Sequence, residues 1–306
     1  MSARLGLSRM DMLGIGLFLA LWGGATAYIA ATGGDWIFPV VALSIFGIAM
    51  SGIAWLTTRG ANAPPVPVEA PARQSLVVLF YLALYAILFL GFGMTMLREA
   101  VPAGRSQELV VMTAKIAVHI VLPVLVLMAL GQRVLPLFTT RTPPMVFWRT
   151  LIVLGLIILG LLCVVSPSLK DIAALKPSVA TLAWTVPAGF LWITIEAGLN
   201  EEFLFRGVLQ NRLSAWFGSV WTGVVVSSVI FGLVHAPGLF LRGGPGVDGW
   251  STDPLQVIAF TIATLVPLSL FLGFVYARTK SLLLVVLLHG LIDVLPNLSD
   301  FIEMWA

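Results

Sequence analysis

Charge is what this chain has least of. Its 306 residues include 17 Lys and Arg and 14 Asp and Glu, and 59% of them are hydrophobic. Soluble domains carry about a quarter charged residues, so this balance, with a mean hydropathy of +1.03, excludes a soluble fold. A net charge of +3 is too small to mark a nucleic-acid-binding protein and reports membrane topology instead. Cys163 stands alone, which excludes an internal disulfide and leaves it as small core filler in a helix. Histidine occurs only three times. No internal repeat or low-complexity tract is present, so the duplicated architecture of many secondary transporters has no support.

What the chain does have is a series of apolar runs of spanning length, about 20 residues each. They predict helices over 12–31, 36–58, 75–97, 108–130 and 148–167. A long or broken helix follows from 178 to a turn at Phe217 and Gly218, with Pro187 inside it as a kink. The next run, 219–236, is expected to stop at Pro237 and a glycine-rich loop, before 255–276 and 282–295. The first run is too long, and too soon followed by another, for a cleaved signal peptide. Residues 59–74, with four prolines, predict an extended, solvent-exposed linker.

The fold class expected is all-α, a polytopic transmembrane bundle of eight or nine spans around a polar cavity. With nine spans and the N-terminus inside, Arg4, Arg9, Arg59, Arg73, Arg133, Arg141, Arg149, Arg206, Arg212, Arg278 and Lys280 make eleven inside cations. Arg98, Arg105, Lys170, Lys176 and Arg242 make five outside. The excess places the N-terminus in the cytoplasm. Expected localisation is a bacterial inner membrane, with lipids as partners and no nucleic acid.

Charge inside a spanning helix demands a reason, because a carboxylate at membrane depth costs ~2.5 kcal/mol or more. The segment Asn200, Glu201, Glu202, Phe203, Leu204, Phe205, Arg206, Gly207 sets two carboxylates and an arginine in one apolar run. On a helix Glu202 and Arg206 share a face, so the guanidinium can hold that carboxylate ionised and oriented. Glu201 sits about 100° further round and is free for other work. His235 closes the run that begins at Phe231, and His289 opens the run that ends at Asp293, one turn on and on the same face. Counted from the turns near Phe217 and Lys280, Glu201 and His235 lie on the order of 25 Å deep, and His289 and Asp293 roughly 14 to 20 Å. Tilted helices can bring all four together.

A carboxylate beside imidazoles is equipment for activating a water. Glu201 would be the general base, with His235 bonded to the same water. His289 and Asp293 would polarise the scissile carbonyl or stabilise the oxyanion. An ionised Asp293 is a poor oxyanion donor, so it accepts from His289 and fixes its tautomer, or is protonated. The same groups also make a workable zinc set, with Glu201, His235 and His289 as ligands, although no His-Glu-x-x-His lies on one helix. Elsewhere, Lys115 is expected to snorkel to the interface and His119 to bond a neighbouring helix or a carbonyl. Glu196 reads as packing or site wall, and Asp248 as a loop residue.

Three spacings carry a resemblance: Glu201, Glu202 and Arg206 as Glu-Glu-x-x-x-Arg, Phe231 and His235 as Phe-x-x-x-His, and His289 and Asp293 as His-x-x-x-Asn/Asp. In order on successive apolar helices, they resemble the CPBP family of intramembrane proteases, which includes the type II CAAX prenyl endopeptidases and the Abi proteins. The resemblance covers about 180–298. It divides the chain into N-terminal helices of unassigned role over 1–177 and a catalytic helical core over 178–298. It implies peptide-bond hydrolysis by a Glu-activated water, with Glu201 as base, His235 assisting, His289 and position 293 forming the oxyanion site, and Glu202 and Arg206 supporting. The implied substrate is a peptide or protein, prenylated or not. No cofactor is required on this reading, and zinc is the alternative. Many better-known members carry Asn where this chain has Asp293. Two other readings stay open: a non-catalytic scaffold or immunity-type protein, and a proton-coupled carrier.

Overall fold

The computed structural model describes residues 8–61, 63–139 and 142–306, so Arg4 and Arg141 of the topology count lie outside the described residues. Among the described residues nine helices are long and apolar enough to cross a membrane, and there is no β-strand. In chain order they are α1 (Arg9–Ala31), α2 (Ile37–Thr57), α3 (Pro71–Ala100), α4 (Arg105–Ala129), α5 (Pro144–Val165), α6 (Val179–Phe217), α7 (Val220–Arg242), α8 (Pro254–Thr279) and α9 (Leu282–Trp305). Two short helices not expected from hydropathy, Leu135–Phe138 and Ser168–Ala174, lie on either side of α5.

Local chemistry sets most of the boundaries. Ser8, Ser178, Ser219 and Ser281 each accept a backbone N–H three residues on, capping α1, α6, α7 and α9, and Asp253 caps α8. Gly218 ends α6 with φ +60, a left-handed turn that glycine adopts without strain.

One expected stop and one expected helix end are overturned. Pro237 lies inside α7, which runs on to Arg242, and α9 passes Pro296 to reach Trp305. Neighbouring helices in a bundle supply the support that a proline-interrupted ladder lacks. Here Arg242 Nε donates to the Leu90 carbonyl of α3 at 2.8 Å, tying down the extra turn. The linker is also corrected: α3 begins at Pro71, and Gln132 Nε2 donates to the Pro67 carbonyl while its Oε1 accepts from Glu69 N. Val66 is buried, so the segment is strapped to the bundle.

The helices are not equivalent. In the most apolar window of α8, 72% of residues are buried, in α7 and α9 56%, and in α1 22%, so α7 to α9 form the centre and α1 to α5 shield it from lipid. The C-terminal half of α6 runs through that centre, with Phe203, Leu204, Phe205, Val208 and Leu209 fully buried. On α6 and α9 small residues allow near contact: a Cβ on Gly198 would lie 2.7 Å from the Val286 carbonyl oxygen, and one on Gly290 would collide with Thr194. That closeness sets the depth at which the two helices exchange side chains.

Candidate active site

Glu201 and Glu202 sit in a short α-helical stretch, Asn200–Glu202, between two π-helical turns, Thr194–Leu199 and Phe203–Gln210. Such wide turns recur at functional sites, where they re-aim side chains. Glu202 and Arg206 share a face as expected, with Arg206 Nε 3.0 Å from Glu202 Oε2 and both side chains almost wholly buried. Arg206 also donates to the Ser269 carbonyl and hydroxyl at 3.2 and 3.1 Å, which anchors it to α8. Because it is spent in the core, Arg206 carries no information on topology and drops out of the inside count.

His289 Nδ1 lies 2.7 Å from Glu202 Oε1. This contact was not foreseen: Glu202 joins Arg206 on its own helix to His289 on α9. On the other side of the ring, His289 Nε2 is 3.2 Å from Asp293 Oδ2 and 3.8 Å from Glu201 Oε2. Glu201 Oε1 lies 3.9 Å from His235 Nε2. Glu201, His235, His289 and Asp293 are thus brought together, and Glu201 faces both imidazoles.

The hydrogen bonds assign the ring protons. His235 Nδ1 lies 2.6 Å from the Phe231 carbonyl oxygen, which can only accept, so Nδ1 carries the proton. In the neutral ring Nε2 is then a bare acceptor turned toward Glu201. Phe231 has a second task, since the Arg206 guanidinium lies over its ring at 4.9 Å. The spacing Phe-x-x-x-His therefore has a physical basis here: one residue fixes the tautomer of His235 and packs against the arginine that holds Glu202.

Among the described residues no group of three or more His, Cys, Asp and Glu side chains is arranged to hold a metal ion. His289 has both nitrogens directed at carboxylates, and His235 and His289 approach Glu201 from its two different oxygens.

Outside this group, Lys115 does not snorkel: its Nζ is 2.7 Å from Glu196 Oε1, joining α4 to α6. His119 bonds a neighbouring helix and a carbonyl, as expected, through Tyr85 Oη at 2.7 Å and the Lys115 carbonyl at 2.8 Å. Tyr85 was missed. Its one sequence signal is a phenol, one of four tyrosines in the chain, within an apolar run where a buried hydroxyl needs a partner. Asp248 lies in the loop between α7 and α8, as expected, whereas Cys163 is exposed on α5 and is not core filler.

Residues 183–295 match the family model described as Type II CAAX prenyl endopeptidase Rce1-like. Glu201, Glu202, Arg206, Phe231, His235, His289 and Asp293 all fall within the matched stretch, and α1 to α5 fall outside it. Comparison with curated proteins and with solved structures gave no match. The match supports assigning these C-terminal helices to the CAAX-type membrane proteases.

Proposed function

We propose that this protein is an intramembrane endopeptidase in which Glu201 and His235 together hold the attacking water. The observation that supports this is the pair of acceptors, Glu201 Oε1 and His235 Nε2, 3.9 Å apart. That gap is too long for a direct hydrogen bond, and a water set off the line between them can lie ~2.8 Å from both. Both partners accept, so the water donates its two protons to them and turns a lone pair outward. As its oxygen bonds to the scissile carbonyl carbon, Glu201 takes one proton. Collapse of the tetrahedral intermediate breaks the C–N bond, and Glu201 returns that proton to the leaving amine.

His289 Nε2–H serves the carbonyl oxygen, with Asp293 holding the proton until substrate arrives. Glu202 and Arg206 fix the imidazole from behind. The substrate is a membrane-associated or lipidated peptide or protein, prenylated or not, cleaved in a bacterial inner membrane by a chain whose N-terminus is cytoplasmic. No metal is needed for these steps.

The test is cleavage of a mixed peptide and membrane-protein library by purified wild type and Glu201→Ala, each with and without a chelator and with metal content measured. Cleavage by wild type alone, indifferent to chelation, is the expected result. Loss on chelation with bound zinc would make Glu201, His235 and His289 ligands. Full activity of Glu201→Ala would overturn the assignment, and an inert wild type would favour a non-catalytic scaffold.

A further inference from the structure

His119 on α4 repeats the device that fixes His235. Each imidazole gives its Nδ1 proton to the carbonyl four residues back, Lys115 for His119 and Phe231 for His235. Each therefore turns a bare Nε2 inward when neutral. For His119 that nitrogen meets Tyr85 Oη of α3 at 2.7 Å, so the phenol donates to it, and the two rings lie edge to face with centroids 4.9 Å apart. Both side chains are buried. The helical turn Ala117–Val121, which carries His119, packs against Asn200–Glu202, and Tyr85–Gly93 packs against α7, which carries His235. The Glu201 carboxylate is within coulombic reach of Tyr85, His119 and Lys115. The other charged or titratable groups acting on the pair are His235 and Arg242 from α7 and Tyr81 from α3. Lys115 is braced in turn by Glu196, five residues before Glu201 on α6.

We propose that Tyr85 and His119, supplied by the N-terminal helices, are a positioning pair that closes the side of the site opposite His289 and holds Glu201 turned toward its water. The inference rests on the endopeptidase reading for its purpose, and on the packing of α3 and α4 against α6 and α7 for its geometry. A buried phenol and imidazole joined to each other would suffice as interhelical glue. Their place on elements packed against Asn200–Glu202 and α7, where Glu201 is the site carboxylate held least closely, gives them further work. Glu202 is held by Arg206 and His289, while Glu201 is approached only at 3.8 and 3.9 Å. A carboxylate so loosely held needs its rotamer set by what surrounds it. On this account α3 and α4 are part of the catalytic unit rather than an anchor.

Three histidines in the chain allow a test that needs no substrate. With 15N-histidine labelling, the imidazole nitrogens of wild type, Tyr85→Phe and Glu201→Gln are compared in detergent. Glu201→Gln is expected to shift His119 as well as His235 and His289, and Tyr85→Phe to shift His235 as well as His119. If His119 ignores Glu201→Gln and His235 ignores Tyr85→Phe, the pair is private to α3 and α4 and the proposal is overturned. Against a library member that wild type cleaves, Tyr85→Phe and His119→Gln should each lower kcat roughly ten- to a hundredfold with KM kept, and the double variant should be no worse than either. A lower Tm with unchanged kcat would mark a purely structural role and overturn the proposal. An inert wild type defeats the endopeptidase reading alone, because the nitrogen spectra still decide the geometry.

Discussion

His289 Nδ1 and Glu202 Oε1, 2.7 Å apart, join α9 to α6 inside the bundle. Glu202 is at the same time 3.0 Å from Arg206, so one buried carboxylate serves a cation on its own helix and an imidazole on another. The arm Arg206, Glu202, His289 is rigid because each member's freedom is spent on the next.

Removing the middle of that arm leaves Arg206 buried and uncompensated. Glu202→Ala is expected to cost ~3–5 kcal/mol of stability, the usual penalty for breaking a buried pair, while Glu202→Gln, which keeps the shape and one acceptor, costs less. Thermal unfolding in detergent with both variants measures the difference. Equal, small losses would show that the arm does not hold the fold.

Asp293 faces His289 Nε2 at 3.2 Å. Asp293→Asn keeps an oxygen acceptor there and adds a donor for an oxyanion, so cleavage is expected to stay within about tenfold of wild type. Asp293→Leu removes both and should cost roughly a hundredfold, on the scale of losing one oxyanion donor. Steady-state kinetics of the two side by side gives the answer.

At Gly290 α9 passes close to α6, and a side chain there meets Thr194. Gly290→Ala is expected to cost ~1–3 kcal/mol by overpacking and, by moving His289 away from Glu201 and Glu202, to lower kcat on the order of a hundredfold. The pairing Gly290→Ala with Thr194→Ala should recover part of both. Failure of the second change to rescue either would place the cost elsewhere.

Lys280 occupies the turn between α8 and α9 in a left-handed conformation, φ 49. Its ammonium lies 3.4 Å from Asn211 Oδ1 and 5.2 Å from the centre of the Tyr276 ring. Burial pushes its pKa down from 10.5 to about 8. Between those values the unfolded chain holds a proton that the folded chain has released, so stability rises with pH from about 8 to 10.5 and is lost again as pH falls back through 8. Tm is expected to climb over that window in wild type. In Lys280→Met that component should be absent.

The helices and the charged motif were legible because both are local. Nine apolar runs give nine spans, with most ends within a few residues and the ends of α7 and α9 the exceptions, and Ser178, Ser219 and Gly218 mark boundaries by capping chemistry that needs only near neighbours. Glu202 with Arg206, and His289 with Asp293, are pairs four apart on single helices, and helical geometry alone brings each together. Where the reading failed, the outcome depended on a partner far along the chain. Pro237 reads as a stop until Arg242 finds Leu90, 152 residues away, and Lys115 reads as a snorkelling cation until Glu196 appears, 81 residues on.

By itself, then, the amino-acid order determined an all-helical membrane bundle and which residues have chemistry to offer, since hydropathy, capping and i to i+4 spacing act over a turn or two. Only the tertiary structure decided that Glu202 reaches His289, that Glu201 faces two imidazoles at 3.8 and 3.9 Å, and that Tyr85 on α3 meets His119 on α4. Those relations depend on how closely α6 passes α9 at Gly198 and Gly290 and on how α3 and α4 pack against α6 and α7. Interhelical distance and rotation are set by packing across the whole bundle, and a run of residues on one helix carries no record of them.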